Sequence, residues 1–552
     1  MRRQMIVLSV AGCLLIAACG SSSPGLSAAR STSGTAAVAT DTSSPDTSNS
    51  GTSSPDTSPG TSAASIPDSS ASSPSTVDTS TVDTSSLDPS ASSSSSVDTS
   101  SNSDVSLPHT SMAPPSSVVA NPNDATINFG VNKTPQPYDT FLQASLGDVQ
   151  DYWRKTYPEV YGAPFTNLAG GIWASYPNRQ EAIPDGCPKQ SSQQYPAQGN
   201  AFYCPQGDYI VYDDAMLIPM LTKEFGESAV GVVFAHEFGH AIQKRVGALG
   251  PSTPTIYFEQ QADCFAGAWT AHVARGESSR LKFGDQDIKA GLSAMVAVKD
   301  GTLGKDVFKG DAHGSAFDRV GAFENGFKGG AVACKAMETN PLPLLDLPFS
   351  TQQERDTGGN LAYDKILPAV EEALNRFWAA GVTSFSRPTV TTFAHSGPFP
   401  TCDGIDQSAF PFNAVYCPKT NAIFLDEGYA KTLYNKYGDF AVGYIISNAW
   451  SEAVQTQLGS NLAGEQRLLI DDCLTGAWTK DAIPPADGNL DPTRRLYISP
   501  GDLDKAVETA LLSDAGIGNG KMASAFEKID NFRAGVIGGI TECNNRISGT
   551  GS

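Results

Sequence analysis

The pattern of apolar and polar positions divides this chain into three kinds of sequence. Residues 5–18 are a short, mostly apolar run behind Arg2 and Arg3, the layout of a signal peptide and too short to cross a bilayer comfortably. Residues 20–123 are almost entirely Ser, Thr, Pro, Asp and Ala, which cannot build a core. From about residue 125 onward apolar positions return with helical spacing. Residues 141–153 and 366–378 each predict an amphipathic helix ending on a Trp. Strand-like runs at 209–212 (YIVY) and 422–425 (AIFL) each follow a cysteine pair, and at least three helices follow each run. Gly247 and Gly459 stand where helix C-caps are expected. The pattern predicts an α+β fold that is mainly helical.

The same elements recur because the sequence after the polar stretch is written twice. Residues 229–247 (AVGVVFAHEFGHAIQKRVG) align without a gap with residues 441–459 (AVGYIISNAWSEAVQTQLG). Residues 262–269 (ADCFAGAW) are echoed by 471–478 (DDCLTGAW), and 315–318 (SAFD) by 524–527 (SAFE). We therefore expect an internal duplication. A signal peptide is placed at 1–18, a linker at 19–124, one domain at 125–345, a joint at 346–361 and a second domain at 362–548.

Cysteine usage fits export. The residues at 16–19 (IAAC) resemble a bacterial lipobox, in which Cys19 is acylated and becomes the first mature residue. Removal of Cys13 with the signal then leaves eight cysteines of ten. Their register pairs Cys187 with Cys204, Cys264 with Cys334, Cys402 with Cys417 and Cys473 with Cys543, giving equivalent bridges in each half. The net charge of −21 makes a broad cationic surface for nucleic acid improbable. Residues 19–124 carry ten Asp against a single basic residue, Arg30, so much of this acidity belongs to a solvated tether. The expected location is the extracytoplasmic face of the membrane, held by lipid on Cys19.

The chemistry is concentrated in His236-Glu237-Phe238-Gly239-His240, an HExxH motif behind the apolar residues 230–235. On a helix, positions i and i+4 share a face, so both imidazoles can reach one Zn²⁺ at about 2.0–2.1 Å. Glu237 is then placed as general base toward a zinc-activated water. A catalytic zinc needs a third protein ligand and an open position. Glu259 can supply that ligand from a second helix, and Asp263, one turn later, can orient a zinc-bound His.

These residues, continued by Glu259-Gln260-Gln261-Ala262-Asp263 and by His313-Gly314-Ser315 ahead of Phe323 and Gly326, resemble the neutral zinc metallopeptidases of bacteria, most closely the actinobacterial lipoprotein type. The resemblance covers the first copy. It implies a zincin-like fold with His236, His240 and Glu259 on one zinc per chain and Glu237 as base. It also implies an edge strand that pairs with extended substrate, which residues 209–212 could provide. His313 is the candidate for stabilising the oxyanion, with Tyr212 as the alternative donor.

The second copy acts as an internal control. His236, Glu237, His240 and Glu259 align with Asn448, Ala449, Glu452 and Leu468, while Ala241, Gln243 and Trp269 have identical partners and Asp263 aligns with Asp472. His313 falls opposite Met522. The second domain is thus expected to be a degenerate, zinc-free copy. The function expected is hydrolysis of peptides or proteins in the cell envelope. The alternatives are a non-catalytic envelope-binding lipoprotein with a structural zinc, and an amidase acting on cell-wall peptide.

Overall fold

The computed structural model describes residues 124–297 except 188, 190–192 and 251, together with 314–345, 347, 349, 351–512 and 524–549. The expected signal peptide, Cys19, His313 and all of the expected linker except Asp124 lie outside the described residues. Asp124 is tied into the fold by Arg154 at 2.7 Å and Arg280 at 3.3 Å.

The fold is mainly helical with two small sheets, as the spacing predicts. The first half runs β1 (Ile127–Asn128), α1 (Asp139–Tyr161), β2 (Gly171–Ser175), β3 (Ala201–Cys204), β4 (Tyr209–Asp213), α2 (Leu217–Glu224), α3 (Glu227–Val246), α4 (Thr255–Ala274), α5 (Asp285–Ala297) and α6 (Ala316–Ala336). The second contains α7 (Gln352–Asp356), α8 (Tyr363–Gly381), β5 (Thr389–Phe393), β6 (Ala414–Cys417), β7 (Ala422–Asp426), α9 (Glu427–Tyr437), α10 (Asp439–Gln457), α11 (Gly464–Asp481), α12 (Asp502–Leu512), α13 (Ala525–Gly538) and α14 (Ile540–Ser548). The opening helices α1 and α8 both run past their Trp, and the segment expected as a joint contains α7, closed by a Thr351–Glu354 capping box.

Both sheets are built alike. In the first, the order is β1-β2-β4-β3, with β2 parallel and β3 antiparallel to β4. In the second it is β5-β7-β6, with the same directions around β7. The registers match as well: Ala201 faces Tyr212, and Ala414 faces Leu425. β4 is buried at every position, consistent with its continuous apolar sequence. It therefore lies inside the sheet, so residues 209–212 are not the edge strand expected from the resemblance. The edges are β1 and β3, and β3 runs back antiparallel along one side of β4.

The central helix α3 is buried over nearly its whole length, as is its counterpart α10. Glu227 at its start and Lys244 and Arg245 at its end complement the helix dipole, and Gly247 closes it with φ 66°. Helices α4 and α6 cross at Gly267 and Gly326, where a Cβ on either would meet the other helix's backbone. Gly476 and Gly535 make the same crossing between α11 and α13. Gly330 (φ 65°) and Gly539 (φ 68°) then kink the chain at matching places, and the bend brings Cys334 to Cys264 and Cys543 to Cys473.

All four bridges read from the register are present. The Cys473–Cys543 bridge closes a separation of 70 residues. Replacing both cysteines by Ala is expected to cost about 4 kcal/mol on the chain-entropy account, measurable as a lowered denaturation midpoint. The halves meet where α6 packs against α12 and α13, with Phe327 on Phe526 (ring centroids 4.5 Å) and Lys328 paired to Asp530 at 2.6 Å.

Candidate metal centre

Helix α3 carries His236, Glu237 and His240, and α4 carries Glu259 and Asp263. The two helices approach closely at Gly239, where a Cβ would lie 2.9 Å from Cα of Ala262. That approach lets Glu259 reach the histidines. Its carboxylate oxygens stand 3.3 Å from Nε2 of His236 and 3.5 Å from Nε2 of His240, and the two Nε2 atoms are 3.2 Å apart. One ligand atom from each of the three residues lies within 4.8 Å of the others, the metal-ligating group found among the described residues.

The hydrogen bonds behind the site assign the tautomers. Asp263 Oδ1 lies 2.7 Å from Nδ1 of His236, so that nitrogen carries the proton and Nε2 presents a lone pair. Gln243 Nε2 donates to the Phe258 carbonyl at 2.7 Å, which turns its Oε1 toward Nδ1 of His240 at 2.9 Å. Oε1 can only accept, so His240 also presents Nε2 as a lone pair. Two Nε2 atoms and a carboxylate thus converge with both Nδ1 positions held from behind; without metal a proton on His236 pairs with Glu259, and a divalent cation would take that proton's place. The residues present fit zinc.

Electrostatics point the same way. Burial opposes charging His236, but Asp263 and Glu259 override it and push the imidazole up to about 10. The field of the site therefore favours positive charge. Burial also opposes ionising Asp263, yet the Arg319 guanidinium and His236 hold it below the usual carboxylate range. Arg319, from α6, binds both Asp263 oxygens at 2.9 and 2.8 Å. Replacing Asp263 by Asn is expected to weaken zinc binding about 10- to 100-fold, measured by chelator competition, because the amide cannot both hold Nδ1–H and neutralise Arg319.

Glu237 is fully buried beside the histidines. Its Oε2 accepts from the Tyr203 backbone N–H on β3 at 2.8 Å, while Oε1 has no hydrogen-bond partner among the described residues. Burial raises its carboxyl, opposed by His236 and His240. One oxygen is thus anchored to the β3 backbone and the other accepts no hydrogen bond among the described residues.

The Tyr212 ring packs edge-on against Phe234 at 5.2 Å, and burial together with Asp214 and Asp139 raises its phenol. Gln243, Arg319 and the Tyr203 amide escaped the sequence reading. A signal for Arg319 did exist, since the aligned position 528 carries a basic residue, Lys528, whose charge opposes the rise that burial gives Asp472.

In the second half the same framework holds other chemistry. Gln455 Nε2 donates to the Arg467 carbonyl at 2.9 Å, the counterpart of the bond from Gln243 to Phe258. At the position of His240, however, Glu452 is clamped by Arg467 at 2.7 Å, and Asp472 accepts from Tyr444.

Residues 180–337 match the family described as "Putative neutral zinc metallopeptidase", the resemblance that the motifs carry. Among curated proteins the chain is similar to "Uncharacterized protein Rv2575" of Mycobacterium tuberculosis, 33% identical over 210 residues, covering 34% of this chain and 66% of the relative. The same figures hold for "Uncharacterized protein Mb2605" of Mycobacterium bovis. "Uncharacterized protein YpfJ" of Escherichia coli K12 is 32% identical over 151 residues, covering 23% of this chain and 50% of the relative. The chain thus spans just under two thirds of the length of the mycobacterial relatives. No solved structure matches.

Proposed function

We propose that this chain is a membrane-anchored, extracytoplasmic zinc metallopeptidase that hydrolyses peptide bonds, with Glu237 as general base. The observation that carries the reading is the convergence of His236, His240 and Glu259 beside the unpartnered Oε1 of Glu237. His236 and His240 would hold zinc together with the Glu259 carboxylate, with Asp263 and Gln243 fixing the rings. Zinc in that place supplies a Lewis acid that acidifies water and polarises the scissile carbonyl. Glu237, pinned through Oε2 to Tyr203, receives the proton at Oε1 and returns it to the leaving amine. The edge strand β3 lies directly over this carboxylate, which favours an extended peptide running beside it.

The location and the partners follow from sequence. The run at 5–18 followed by Cys19 supports a lipid anchor, and four disulfides suit an oxidising compartment. The Ser-, Thr- and Pro-rich composition of residues 20–123 suits a tether between an anchored Cys19 and a catalytic half acting on envelope peptides or proteins. Among the described residues no helix is long and apolar enough to cross a membrane.

The test is metal content of the purified chain together with turnover on a peptide library before chelation, after it, and after zinc is restored. One zinc per chain with turnover that follows the metal supports the peptidase. Bound zinc with no turnover on any peptide would make the chain a binder.

A further inference from the structure

The second half lacks the metal ligands, yet it holds the helix that supports them. Helix α6 delivers Arg319 to Asp263, and Asp263 orients His236. Two residues before Arg319, both backbone groups of Phe317 are gripped from the second half. The Phe317 N–H donates to Asp504 of α12 at 3.0 Å, and the Phe317 carbonyl accepts from Arg533 of α13. Arg533 also lies over the Phe317 ring, 4.0 Å from its centroid, and donates through Nε to Glu324 of α6 at 3.1 Å.

A first-turn amide of a helix has no partner within its own helix. Here Asp504 supplies one from the other half, and a carboxylate at that end also complements the helix dipole. Gly321 keeps the face open, since a Cβ there would collide with the Arg533 guanidinium. Glu324 and Arg533 occupy equivalent places in the two copies, each ten residues before the second cysteine of its half's long bridge. Two identical copies would set like side chains against each other across this contact. An acid in one and a base in the other make the pairing of these two halves complementary. Burial pushes the Glu324 carboxyl up to about 8, and Arg533 pulls against that rise.

We propose that the second half is a positioning device for the metal centre: Asp504 and Arg533 fix the first turn of α6, and through Arg319 and Asp263 they fix the ring of His236. The inference rests on the zinc-peptidase reading and assigns a role to the degenerate copy. Asp504 and Arg533 touch neither metal nor substrate, so they are positioning residues.

The experiment compares zinc affinity, by chelator competition, in the full chain and in its Arg533→Ala, Asp504→Ala and Asp504→Asn variants, alongside the melting temperature of each zinc-free form. The expected result is about tenfold weaker zinc for both Ala variants, at the low end for groups that orient ligands. Asp504→Asn, which keeps an acceptor for the Phe317 amide, should restore affinity to within about twofold. In turnover, kcat should fall while KM stays near that of the parent. Ala variants that melt earlier but bind zinc as tightly as the parent would overturn the proposal, leaving a structural prop. If Arg533→Ala does not fold, the two Asp504 variants decide. A parent chain that holds no zinc at all would sink the peptidase reading and this inference with it; a parent that holds zinc with unaltered variants sinks this inference alone.

Discussion

Glu237→Gln is expected to lower kcat/KM by about 10²- to 10⁴-fold while the chain keeps its zinc. The substitution changes little but the charge. Glutamine retains an oxygen for the Tyr203 amide, which holds Oε2 at 2.8 Å, and fits the same fully buried volume. What disappears is the proton acceptor at Oε1, the atom without a hydrogen-bond partner among the described residues. His236, His240 and Glu259 are untouched, so metal content measured beside turnover separates loss of the base from loss of the site. A Gln variant as active as the parent would remove Glu237 from the mechanism; one that lost its zinc would show that the carboxylate helps hold the metal.

The second large effect concerns the scaffold. Gly326→Ala is expected to destabilise the chain by more than about 3 kcal/mol, beyond the usual range for overpacking, because the new Cβ would fall on the Cys264 carbonyl. That atom belongs to the backbone of α4 and has no rotamer with which to move aside. Gly267, facing the Phe323 carbonyl, makes the reciprocal contact, so the crossing can only open by separating α4 from α6. Separation would also draw Arg319 away from Asp263, so zinc affinity should fall with stability. Gly381→Ala, at a helical position with open space around it, serves as the control and should leave stability unchanged or raise it by up to about 1 kcal/mol. Equal denaturation midpoints for the two variants would refute the close-crossing argument.

Much of this was legible because it depends on local spacing. The i, i+4 histidines share a face in any α-helix, so HExxH announces a pair of ligands before the helix is seen. The four cysteine pairs could be read because the register repeats in the second copy, and β4 and β7 could be read from their continuous apolar runs. The strand order was not legible. Apolar residues at 209–212 mark a buried strand, but whether it lies inside a sheet or at its rim depends on which segments fold back beside it. That is why the edges fall to β1 and β3 instead. Gln243 and Arg319 were missed for a related reason, since the Phe258 carbonyl that aims Gln243 at His240 and the carboxylate that Arg319 binds both come from another helix.

By itself, then, the sequence determined the candidate metal-binding residues, the bridges and the helical and strand periodicity, because periodicity, ligand spacing and matching register are properties of neighbours along the chain. The tertiary structure decided which of the two histidines Asp263 reaches, which strand amide binds Glu237 and how the second half takes hold of α6. Those outcomes depend on how closely helices can cross, and that is set by where Gly239, Gly267 and Gly326 meet a facing backbone across the core.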